Sequence, residues 1–260
     1  MEYKLIAMDF DGTLLDDNKN ISLENKNTLI KYRSEGYLIV GVTARSLESV
    51  RKDIDFSLFD YFILHNGVCI YDVVNSNGWY EGYVSKDVAF DITKMMENVS
   101  SEMAFCTYDT YNIYRKKKKN TDYFVKTVDS LDEVVDKIAR INIFLDKSLD
   151  LDYYKNLIDS KYSDVECYFM EATNESRFMV IGPLGLNKGS TLKRLGDMVG
   201  VDLSEMIFFG DALSDISAIR AVGCGVAMEN ALSEVKRVSD DITLTNNESG
   251  IGVYLKQLLG

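Results

Sequence analysis

Residues that could perform chemistry occur in four short groups along this sequence. The first is Asp9-Phe10-Asp11-Gly12-Thr13, in which two carboxylates flank one apolar residue. Residues two apart on an extended segment point the same way, so we expect Asp9 and Asp11 to face one pocket. Two close carboxylates oppose each other's ionisation, so one can hold a proton while the other, beside a metal, attacks phosphorus. Gly12 permits a tight turn out of the strand.

The same motif has two simpler interpretations. An acidic pair can merely end a strand, and DxDG resembles part of an EF-hand calcium loop. In that loop the sixth residue is glycine and the twelfth is glutamate. Counted from Asp9, the glycine is fourth and the twelfth residue is Asn20, which excludes the calcium loop. On this motif alone, catalysis and strand termination stay equally open.

The second and third groups could bind a phosphate. Thr43-Ala44-Arg45 follows an apolar run, where a hydroxyl and backbone amides can hold a phosphoryl oxygen, although an ordinary helix cap is the alternative. Lys188 begins a predicted helix in Asn187-Lys188-Gly189-Ser190, where its charge favours an anion. A solvated surface lysine is the commoner outcome, and the Walker pattern GxxxxGK[ST] is absent from the sequence.

The fourth group is Gly210-Asp211-Ala212-Leu213-Ser214-Asp215. Asp211 directly follows an apolar run, and Asp215 lies four residues later, so the two can share a helix face. Helix capping alone could explain both acids. Beside Asp9 and Asp11 they would form an oxygen-rich cage instead, and carboxylates that converge without a cation repel one another strongly. Hard oxygen ligands favour Mg²⁺.

The elements that must position these groups alternate along the chain. Short apolar runs predict buried strands at Lys4–Met8, Tyr37–Val42, Tyr61–Leu64, Met206–Phe209, Gly225–Ala227 and Ile242–Leu244. Helical patterns lie between several of them, at Leu23–Ser34, Lys188–Val199 and Leu213–Ala221. The alternation predicts an α/β fold with a doubly wound, Rossmann-like parallel sheet. In such sheets ligands bind beyond the carboxyl ends of the strands, where the polar groups described above lie.

The pattern of strand-like runs and amphipathic stretches in residues 84–182 predicts a second, inserted α+β domain. Their strand-like runs are Met103–Tyr108, Asn112–Tyr114, Ile141–Leu145, Val165–Met170 and Phe178–Ile181. Amphipathic stretches at Asp87–Met96 and Leu131–Ile138 separate some of these runs. The crossings contain Gly78, Gly82, Gly182, Pro183 and Gly185, which suit a hinge. The predicted domains are therefore a core of 1–83 and 183–260 and an inserted domain of 84–182.

Composition limits the classes of partner. The chain has 260 residues and a net charge of −12, so nucleic acid and anionic membranes are not expected partners. Four scattered cysteines without a CxxC pair and the absence of a signal-peptide pattern predict a cytoplasmic protein. A single histidine, His65, excludes a zinc site built on several histidines. The basic run Arg115–Lys119 predicts a solvated loop, with steering of anions as the alternative.

Together the motifs resemble those of the haloacid dehalogenase superfamily of phosphatases. The shared order is DxDGT, a threonine at a strand end, a lysine and GDxxxD, and the chain fits from Lys4 onward. Three further segments resemble the Cof-type sugar-phosphatase branch (type IIB), which has a large α/β cap between the second and third motifs. These segments are His65-Asn66-Gly67, Gly225-Val226-Ala227-Met228-Glu229-Asn230-Ala231 and Thr245-Asn246-Asn247-Glu248-Ser249-Gly250.

The resemblance implies a Mg²⁺-dependent phosphatase that acts on a small phosphorylated metabolite, first of all a sugar phosphate. Asp9 would be the nucleophile that forms an aspartyl-phosphate, and Asp11 would protonate the leaving oxygen and then activate water. Phosphate binding is implied for Thr43, Lys188, Gly12 and Ala44. Metal binding is implied for Asp9, Asp11 through its backbone carbonyl, Asp211 and Asp215. Accessory positions are Asn246, Ser214, Arg45, Asn66, Gly67 and Thr13, and the cap would choose the substrate.

Three positions depart from the family pattern. Ala44 and Ala212 stand where glycine or a small polar residue is common, and Ser214 replaces the asparagine of GDxxND. Serine is shorter, so we expect one phosphate contact to be lost or bridged by water. A phosphomutase or phosphotransferase of the same superfamily stays open, as does a silent protein that binds a phosphometabolite. Pyridoxal phosphate and flavin mononucleotide are alternative substrates, and the chain is expected to be a monomer or weak homo-oligomer.

Overall fold

The computed structural model describes residues 3–100, 102–108, 111–114, 125–128, 130–133, 137–146, 149–171 and 176–260. The chain divides into two compact units. The first contains Met1–Arg45, Val50–Trp79 and Asn187–Gly260, and the second contains Ser46–Ser49 and Tyr80–Leu186. Most of the second unit is therefore inserted within the sequence of the first. The predicted domain limits at 84 and 182 stay a prediction.

Strands form mainly where short apolar runs were predicted to be buried. They are β1 (Leu5–Met8), β2 (Leu38–Val42), β3 (Tyr61–Leu64), β4 (Cys69–Asp72), β5 (Asn77–Tyr80), β6 (Val84–Ser85), β7 (Glu102–Cys106), β8 (Tyr111–Tyr114), β9 (Val125–Val128), β10 (Lys137–Ile138), β11 (Arg140–Asp146), β12 (Val165–Glu171), β13 (Ser176–Pro183), β14 (Met206–Gly210), β15 (Cys224–Ala227) and β16 (Asp241–Ile242).

Four of the helices described below begin after a side chain that caps their first N–H groups. Ser22 caps the first helix by accepting a hydrogen bond from the Asn25 N–H, and Asn187 and Ser190 form a capping box on the fifth. The helices are α1 (Leu23–Ser34), α2 (Leu47–Asp53), α3 (Lys86–Met96), α4 (Leu151–Lys161), α5 (Lys188–Val199), α6 (Ile216–Ile219), α7 (Ser233–Lys236) and α8 (Gly250–Leu259). Both α1 and α5 have the predicted bounds.

The first unit is built on an eight-stranded sheet with the order β16-β15-β14-β1-β2-β3-β4-β5. Strand β1 pairs in parallel with β14 on one side and with β2 on the other. All four residues of β1 are fully buried, as expected for a central strand covered on both faces. The carboxyl ends of β14, β1 and β2 therefore lie side by side, which confirms the predicted α/β fold class.

The sheet becomes antiparallel at one edge, where β4 pairs with β3. Between these strands His65, Asn66 and Gly67 all have positive φ, at 52°, 59° and 115°. This left-handed run reverses the chain within a few residues, and the Gly67 N–H donates to the Leu64 carbonyl at 3.1 Å. The parallel arrangement thus extends over the six strands from β16 to β3, and the sheet as a whole is mixed.

The predicted helix Leu213–Ala221 is interrupted. Leu213–Asp215 form a 3₁₀ turn, and only Ile216–Ile219 form α6. The Asp215 side chain accepts hydrogen bonds from the backbone N–H groups of Asp211 and Ala212, so it closes a tighter turn than an α-helix would have. Further 3₁₀ turns lie at Phe56–Leu58, Leu131–Glu133, Leu203–Glu205 and Asn246–Glu248.

The second unit contains a six-stranded sheet with the order β12-β13-β11-β7-β8-β9 and a separate pair of β10 with β6. Its pairings are antiparallel, except that β8 and β9 are parallel. Alternate residues of β11, namely Ile141, Ile143 and Leu145, enter a buried core that also contains Ile92 of α3 and Ile158 of α4. This period of two is typical of a sheet with one face on a core.

The stretch Leu131–Ile138, which was predicted to be amphipathic, contains a 3₁₀ turn at Leu131–Glu133 and the strand β10, which pairs with β6. The basic run Arg115–Lys119 lies outside the described residues. All four cysteines are buried, and none is part of a disulfide. Within the described ranges, no helix has the length and apolar character needed to cross a bilayer.

Candidate active site

Three carboxylates and one lysine meet where β1 and β14 end; we name them the carboxylate–lysine cluster. Asp9 follows β1, Asp211 follows β14, Asp215 ends a 3₁₀ turn and Lys188 begins α5. Lys188 Nζ lies 2.7 Å from Asp9 Oδ1 and 2.6 Å from Asp215 Oδ1. The lysine side chain is 2% exposed and that of Asp215 is fully buried. Two aspartates far apart in sequence are therefore joined by one buried ammonium group.

Asp215 is fixed from two sides. One oxygen accepts the hydrogen bond from Lys188, and the other accepts the N–H groups of Asp211 and Ala212 at 3.0 and 2.9 Å. A buried charge without partners would be strongly destabilising, and these three hydrogen bonds compensate it. The same bonds hold the backbone at Asp211 against Asp215, which sets the distance between the two aspartates.

Asp211 is held by the turn that follows Asp9. The Thr13 hydroxyl donates to Asp211 Oδ1 at 2.7 Å. Gly12 has φ +82°, and a Cβ atom at this position would lie 2.5 Å from Asp211 Oδ2. Both the backbone conformation and the close approach therefore require glycine. The structure thus places Gly12 and Thr13 against a carboxylate, while the predicted phosphate contact of Gly12 stays a prediction.

Burial and mutual repulsion disturb the ionisation of these acids. Burial raises the pKa of Asp9 to about 7; the charges of Asp215 and Asp211 add to this effect, and Lys188 opposes it. Burial also raises the pKa of Asp211 to about 6, against the hydrogen bond from Thr13. Although burial alone lowers it, the charges of Asp215 and Asp9 raise the pKa of Lys188. One ammonium group therefore does not balance the three carboxylates.

The cluster has the donor set of a divalent-metal site. Asp9, Asp211 and Asp215 each offer a carboxylate oxygen, and these oxygens lie within 4.8 Å of one another. Oxygen donors in a partly buried site suit Mg²⁺, and a cation there would relieve the repulsion between the acids. The residues present therefore fit a divalent cation. The Asp11 carboxylate is not among the three, and the role of its backbone carbonyl as a ligand stays a prediction.

Asp11 lies in a second group, the Asp11 cluster, formed by Asp11, Lys19, Arg45 and Asp53. Arg45 Nε lies 2.8 Å from Asp11 Oδ2, and Arg45 Nη2 lies 2.6 Å from Asp11 Oδ1. Lys19 Nζ donates to Asp11 Oδ1 at 2.7 Å, and Arg45 Nη1 donates to Asp53 Oδ2 at 2.7 Å. Burial alone would raise the pKa of Asp11, but the hydrogen bonds from Arg45 and Lys19 hold it below its usual value.

Thr43 lies at the end of β2 and is 1% exposed. Its N–H donates to the Ile63 carbonyl at 2.8 Å, and its own carbonyl accepts the Asn66 N–H at 3.0 Å. Its hydroxyl accepts the Arg45 N–H at 3.2 Å. Thr43, Arg45 and Asn66 are thus brought together at the carboxyl ends of β2 and β3, with Ala44 half-buried between the first two.

Gly67 packs closely against the start of α5, the helix that carries Lys188. A Cβ atom on Gly67 would lie 2.5 Å from the Asn187 carbonyl oxygen. The Thr191 hydroxyl donates to the Gly67 carbonyl at 2.7 Å. The left-handed turn after β3 therefore packs against the first turn of α5, and so it helps to fix the position of Lys188.

Two asparagines of the C-terminal segment hold the loop after Asp11. Asn230 Nδ2 donates to the Gly12 carbonyl at 2.7 Å, and Asn230 Oδ1 accepts the Asn246 N–H at 3.0 Å. Asn246 Nδ2 donates to the Leu15 carbonyl at 3.0 Å and to Asp17 Oδ1 at 3.2 Å. Asn246 was predicted near the metal or the phosphate, and the structure shows it bound to the backbone of this loop. Its predicted proximity to a ligand stays a prediction.

A family model described as haloacid dehalogenase-like hydrolase matches residues 6–255. This chain belongs to that family. The chain is 28% identical to the phosphatase YwpJ of Bacillus subtilis, over 98% of this chain and 100% of the relative. It is 29% identical to YcsE of the same organism, a 5-amino-6-(5-phospho-D-ribitylamino)uracil phosphatase, over 98% of this chain and 96% of that one.

The fold of this hydrolase also matches solved structures. One is the subclass IIB sugar phosphatase BT4131, with a TM-score of 0.79 and 21% identity over 98% of both chains. At that level of identity the likeness establishes the fold alone. The predicted resemblance to the haloacid dehalogenase superfamily is confirmed.

The ionisation order of Asp9 and Asp11 in this hydrolase is the reverse of the order that their predicted roles need. A nucleophile must be ionised and a general acid must carry a proton. Here the pKa of Asp9 is raised to about 7 and that of Asp11 is lowered. A divalent cation favours the ionised form of an acid that binds it, and a phosphate dianion beside an acid favours the protonated form. Both ligands, when bound, would therefore shift the pKa values of Asp9 and Asp11 towards the order that their predicted roles need.

Sequence reasoning missed three residues that the structure places at these clusters. Lys19 and Asp53 belong to the Asp11 cluster, and Asn230 donates to the Gly12 carbonyl beside it. Asn230 lies in a segment that resembles the Cof-type branch, so that signal was available. No spacing rule points to Lys19 or Asp53, because each is brought in by a loop or a helix end. Ser214, which stands in place of the asparagine of the family pattern, is half-buried in the 3₁₀ turn.

Proposed function

We propose that this haloacid dehalogenase-like hydrolase is a Mg²⁺-dependent phosphatase that hydrolyses a small phosphorylated metabolite through an aspartyl-phosphate on Asp9. The observation that carries the proposal is the carboxylate–lysine cluster. It puts a buried carboxylate, a fixed ammonium group and two further acids at the carboxyl ends of adjacent strands. An ion pair alone would not need the two further acids, whereas a site for a metal and a phosphate would.

In the first step, an Asp9 carboxylate oxygen attacks phosphorus and forms a new P–O bond. The bond between phosphorus and the ester oxygen breaks, and its electron pair goes to that oxygen. Asp11 gives its proton to the leaving oxygen, so the alcohol departs neutral and Asp11 becomes a carboxylate. The phosphoryl group is now covalently bound to Asp9.

In the second step, Asp11 accepts a proton from a water molecule as the water oxygen attacks phosphorus. The bond between phosphorus and Asp9 breaks, and its electron pair returns to the Asp9 carboxylate. Inorganic phosphate leaves, and Asp11 is again protonated for the next cycle. Asp11 thus acts first as an acid and then as a base. Its carboxyl group must therefore reach the leaving ester oxygen in the first step and the water oxygen in the second.

Several residues are suited to hold the transferring group. Lys188 has three N–H donors, and among the described residues two of them are accepted by Asp9 and Asp215, which leaves one for a phosphoryl oxygen. Thr43 lies at the neighbouring strand end and is the second candidate. Asp9, Asp211 and Asp215 would hold Mg²⁺, which when bound supplies positive charge to the transferring phosphoryl group.

The names of two similar proteins support a substrate class for this chain. YcsE is named for a substrate whose phosphate is on a ribityl chain, and BT4131 is named a sugar phosphatase. Both names describe a phosphate ester on a polyhydroxylated carbon chain. We therefore propose a sugar or sugar-alcohol phosphate as the substrate of this chain. A cytoplasmic location and a monomeric or weakly associated state stay predictions.

The proposal is tested by measuring phosphate release from a panel of phosphorylated metabolites, with Mg²⁺ and with a chelator. We expect release that needs Mg²⁺, and an Asp9→Asn variant with kcat reduced by about 10⁴-fold or more. This variant keeps the side-chain shape and an oxygen that can accept from Lys188, so its fold should be retained. Full activity of Asp9→Asn would refute the nucleophile. An isomerised sugar phosphate in place of free phosphate would indicate a phosphomutase, and saturable binding without turnover would indicate a silent binding protein.

A further inference from the structure

We propose that Arg45 is a positioning residue that aims the Asp11 carboxyl group in both steps of the reaction. The inference rests on the proposed function, because it assigns a role to Arg45 only if Asp11 transfers protons. The observation is a two-pronged contact: Arg45 Nε and Nη2 donate to the two different oxygens of Asp11, at 2.8 and 2.6 Å. Such a planar contact fixes the plane of a carboxyl group as well as its position.

Arg45 is itself held on its far side. Nη1 donates to Asp53 Oδ2 at 2.7 Å, and the Arg45 side chain is only 15% exposed. Its backbone N–H donates to the Thr43 hydroxyl at 3.2 Å, and its carbonyl accepts the His65 N–H at 3.2 Å. The Arg45 backbone is thus anchored to the ends of β2 and β3, and its guanidinium is anchored to the end of α2. It can transmit that fixed position to Asp11.

These contacts favour positioning over direct binding of the substrate. The edge of the guanidinium formed by Nε and Nη2, which could hold a phosphate, is occupied by Asp11. Lys19 makes a different kind of contact: it reaches only one Asp11 oxygen, and its side chain is 56% exposed. A single bond from a flexible, exposed chain restrains a carboxyl group far less than the fork of Arg45 does.

The need for such a restraint follows from the two steps. Asp11 must first meet the leaving oxygen and later a water molecule, and its side chain is 41% exposed, so packing alone does not fix it. Proton transfer requires the carboxyl oxygen to lie within hydrogen-bond reach of its partner. Without Arg45, the carboxyl group would rotate among several orientations, and both proton transfers would slow.

The experiment compares Arg45→Met and Arg45→Lys with a matched control, Arg33→Lys. Arg33 makes a related contact elsewhere in the same unit: Nε and Nη2 both donate to one oxygen, Asp60 Oδ1, at 3.0 and 2.9 Å, and Nη1 donates to the Ser57 carbonyl. We expect kcat on the best alkyl phosphate to fall about 10²-fold in Arg45→Met and about 10-fold in Arg45→Lys, the range for impaired general acid–base catalysis. KM should stay within about threefold in both, because ground-state binding is not the target. Arg33→Lys should lower only the melting temperature.

A second measurement uses p-nitrophenyl phosphate, whose leaving group needs no proton. In Arg45→Met the first step on this ester should stay fast while hydrolysis of the aspartyl-phosphate slows. The result is a rapid release of about one equivalent of p-nitrophenolate per enzyme, followed by a slow steady rate. A purely structural loss of Arg45 would lower both phases together.

The outcomes separate the inference from the proposed function. A rise in KM with unchanged kcat would overturn positioning and make Arg45 a substrate ligand. A fall in kcat that Arg33→Lys shares would overturn it in favour of general destabilisation, as would the absence of a rapid phase in Arg45→Met. Lack of turnover by the wild-type protein, or full activity of Asp9→Asn, would overturn the proposed function and the inference together. Slow turnover with the rapid phase in Arg45→Met supports both.

Discussion

Asp9 and Asp11 are two residues apart, yet they lie in clusters of opposite character. The carboxylate–lysine cluster around Asp9 is buried and has more acids than cations, so burial raises the pKa of Asp9 to about 7. The Asp11 cluster is half-exposed and pairs each of its acids with a cation, so hydrogen bonds from Arg45 and Lys19 hold the pKa of Asp11 low despite partial burial. Side chains of one type thus acquire different chemistry from their surroundings alone.

The difference arises where β1 ends. Met8 is the last residue of the strand, and the Thr13 N–H donates to the Phe10 carbonyl in a turn that begins at once. The alternation rule for extended segments therefore does not extend to Asp11. Asp11 still lies near the buried acids, since its charge helps to raise the pKa of Asp211. The two clusters are separate in their contacts and coupled in their electrostatics.

The largest effect that distinguishes the clusters should come from Lys188→Met. This change leaves Asp9 and Asp215 buried without their shared cation. Because removing one partner of a buried ion pair is strongly destabilising, we expect the free energy of unfolding to fall by about 3–5 kcal/mol. Urea unfolding of the metal-free protein measures it. Lys193→Met is the matched control: Lys193 lies on the same helix and pairs with Asp197, but its side chain is 55% exposed. A loss no greater than that of the control would contradict the buried pair.

A smaller effect is expected from Thr13→Val. The hydroxyl is fully buried and donates to Asp211 Oδ1, and a hydrogen bond to a charged group contributes about 1.5–3 kcal/mol. We expect the apparent affinity for Mg²⁺ to weaken by about 10-fold or more, because Asp211 loses its orientation. Calorimetric titration with Mg²⁺ measures this affinity. Thr13→Ser keeps the hydroxyl and should retain most of it; equal losses in both variants would assign the effect to packing.

Mg²⁺ binding should depend on pH through the buried cluster alone. Asp9 and Asp211 have pKa values raised to about 7 and about 6, so in the metal-free protein they hold protons that the unfolded chain releases near pH 4. The unfolding free energy of the metal-free protein therefore falls as the pH rises through this window. Mg²⁺ must displace these protons, so its apparent affinity should rise several-fold between about pH 5.5 and 8.

Titrations at several pH values test this linkage. Asp211→Asn should weaken Mg²⁺ binding and flatten its pH dependence, because one competing proton is gone. An affinity that does not change with pH in the wild-type protein would show that the raised pKa values are absent.

The smallest effect is expected from Lys19→Met in the Asp11 cluster. The Lys19 side chain is 56% exposed, and exposed ion pairs contribute up to about 1 kcal/mol. Arg45 still holds both Asp11 oxygens, so we expect kcat to change by less than about threefold. Raising the salt concentration by about 100 mM screens surface charges, so in the wild-type protein it should reproduce much of the change in kcat caused by Lys19→Met. A loss in kcat as large as that of Arg45→Met would show that Lys19 is as important for Asp11 as the two-pronged contact of Arg45.

The sequence was sufficient for the elements with strong local signals. Helix α1 was predicted at its observed bounds because apolar residues recur at helical spacing and Gly36 follows it, and the apolar run at β1 predicted the central strand. Helix α4 was missed, although Asp150 caps it and Leu151 and Ile158 have helical spacing. The 3₁₀ turn at Asp215 could not be predicted, because a side-chain hydrogen bond to the backbone decides it.

The residues of the site could be predicted from the sequence, but the contacts between them could not. Spacing and resemblance identified Asp9, Lys188, Asp211 and Asp215, which the structure brings together. Neither could show that Arg45 contacts Asp11 at both oxygens, or that Asn230 reaches the Gly12 carbonyl across 218 positions of sequence. Long-range hydrogen bonds depend on the path of each loop, and local patterns contain no information about that path.

Strand β1 pairs Leu5 with Leu38 on one side and with Met206 on the other. During translation the first partner emerges almost at once, whereas the second is made only after the whole inserted unit. Until then the nascent chain presents one unpaired edge of a fully apolar strand, which is the kind of surface that chaperones protect and that self-associates when unprotected. Asp9 also lacks Lys188, Asp211 and Asp215 for that interval, so the carboxylate–lysine cluster can assemble only after residue 215 has been made.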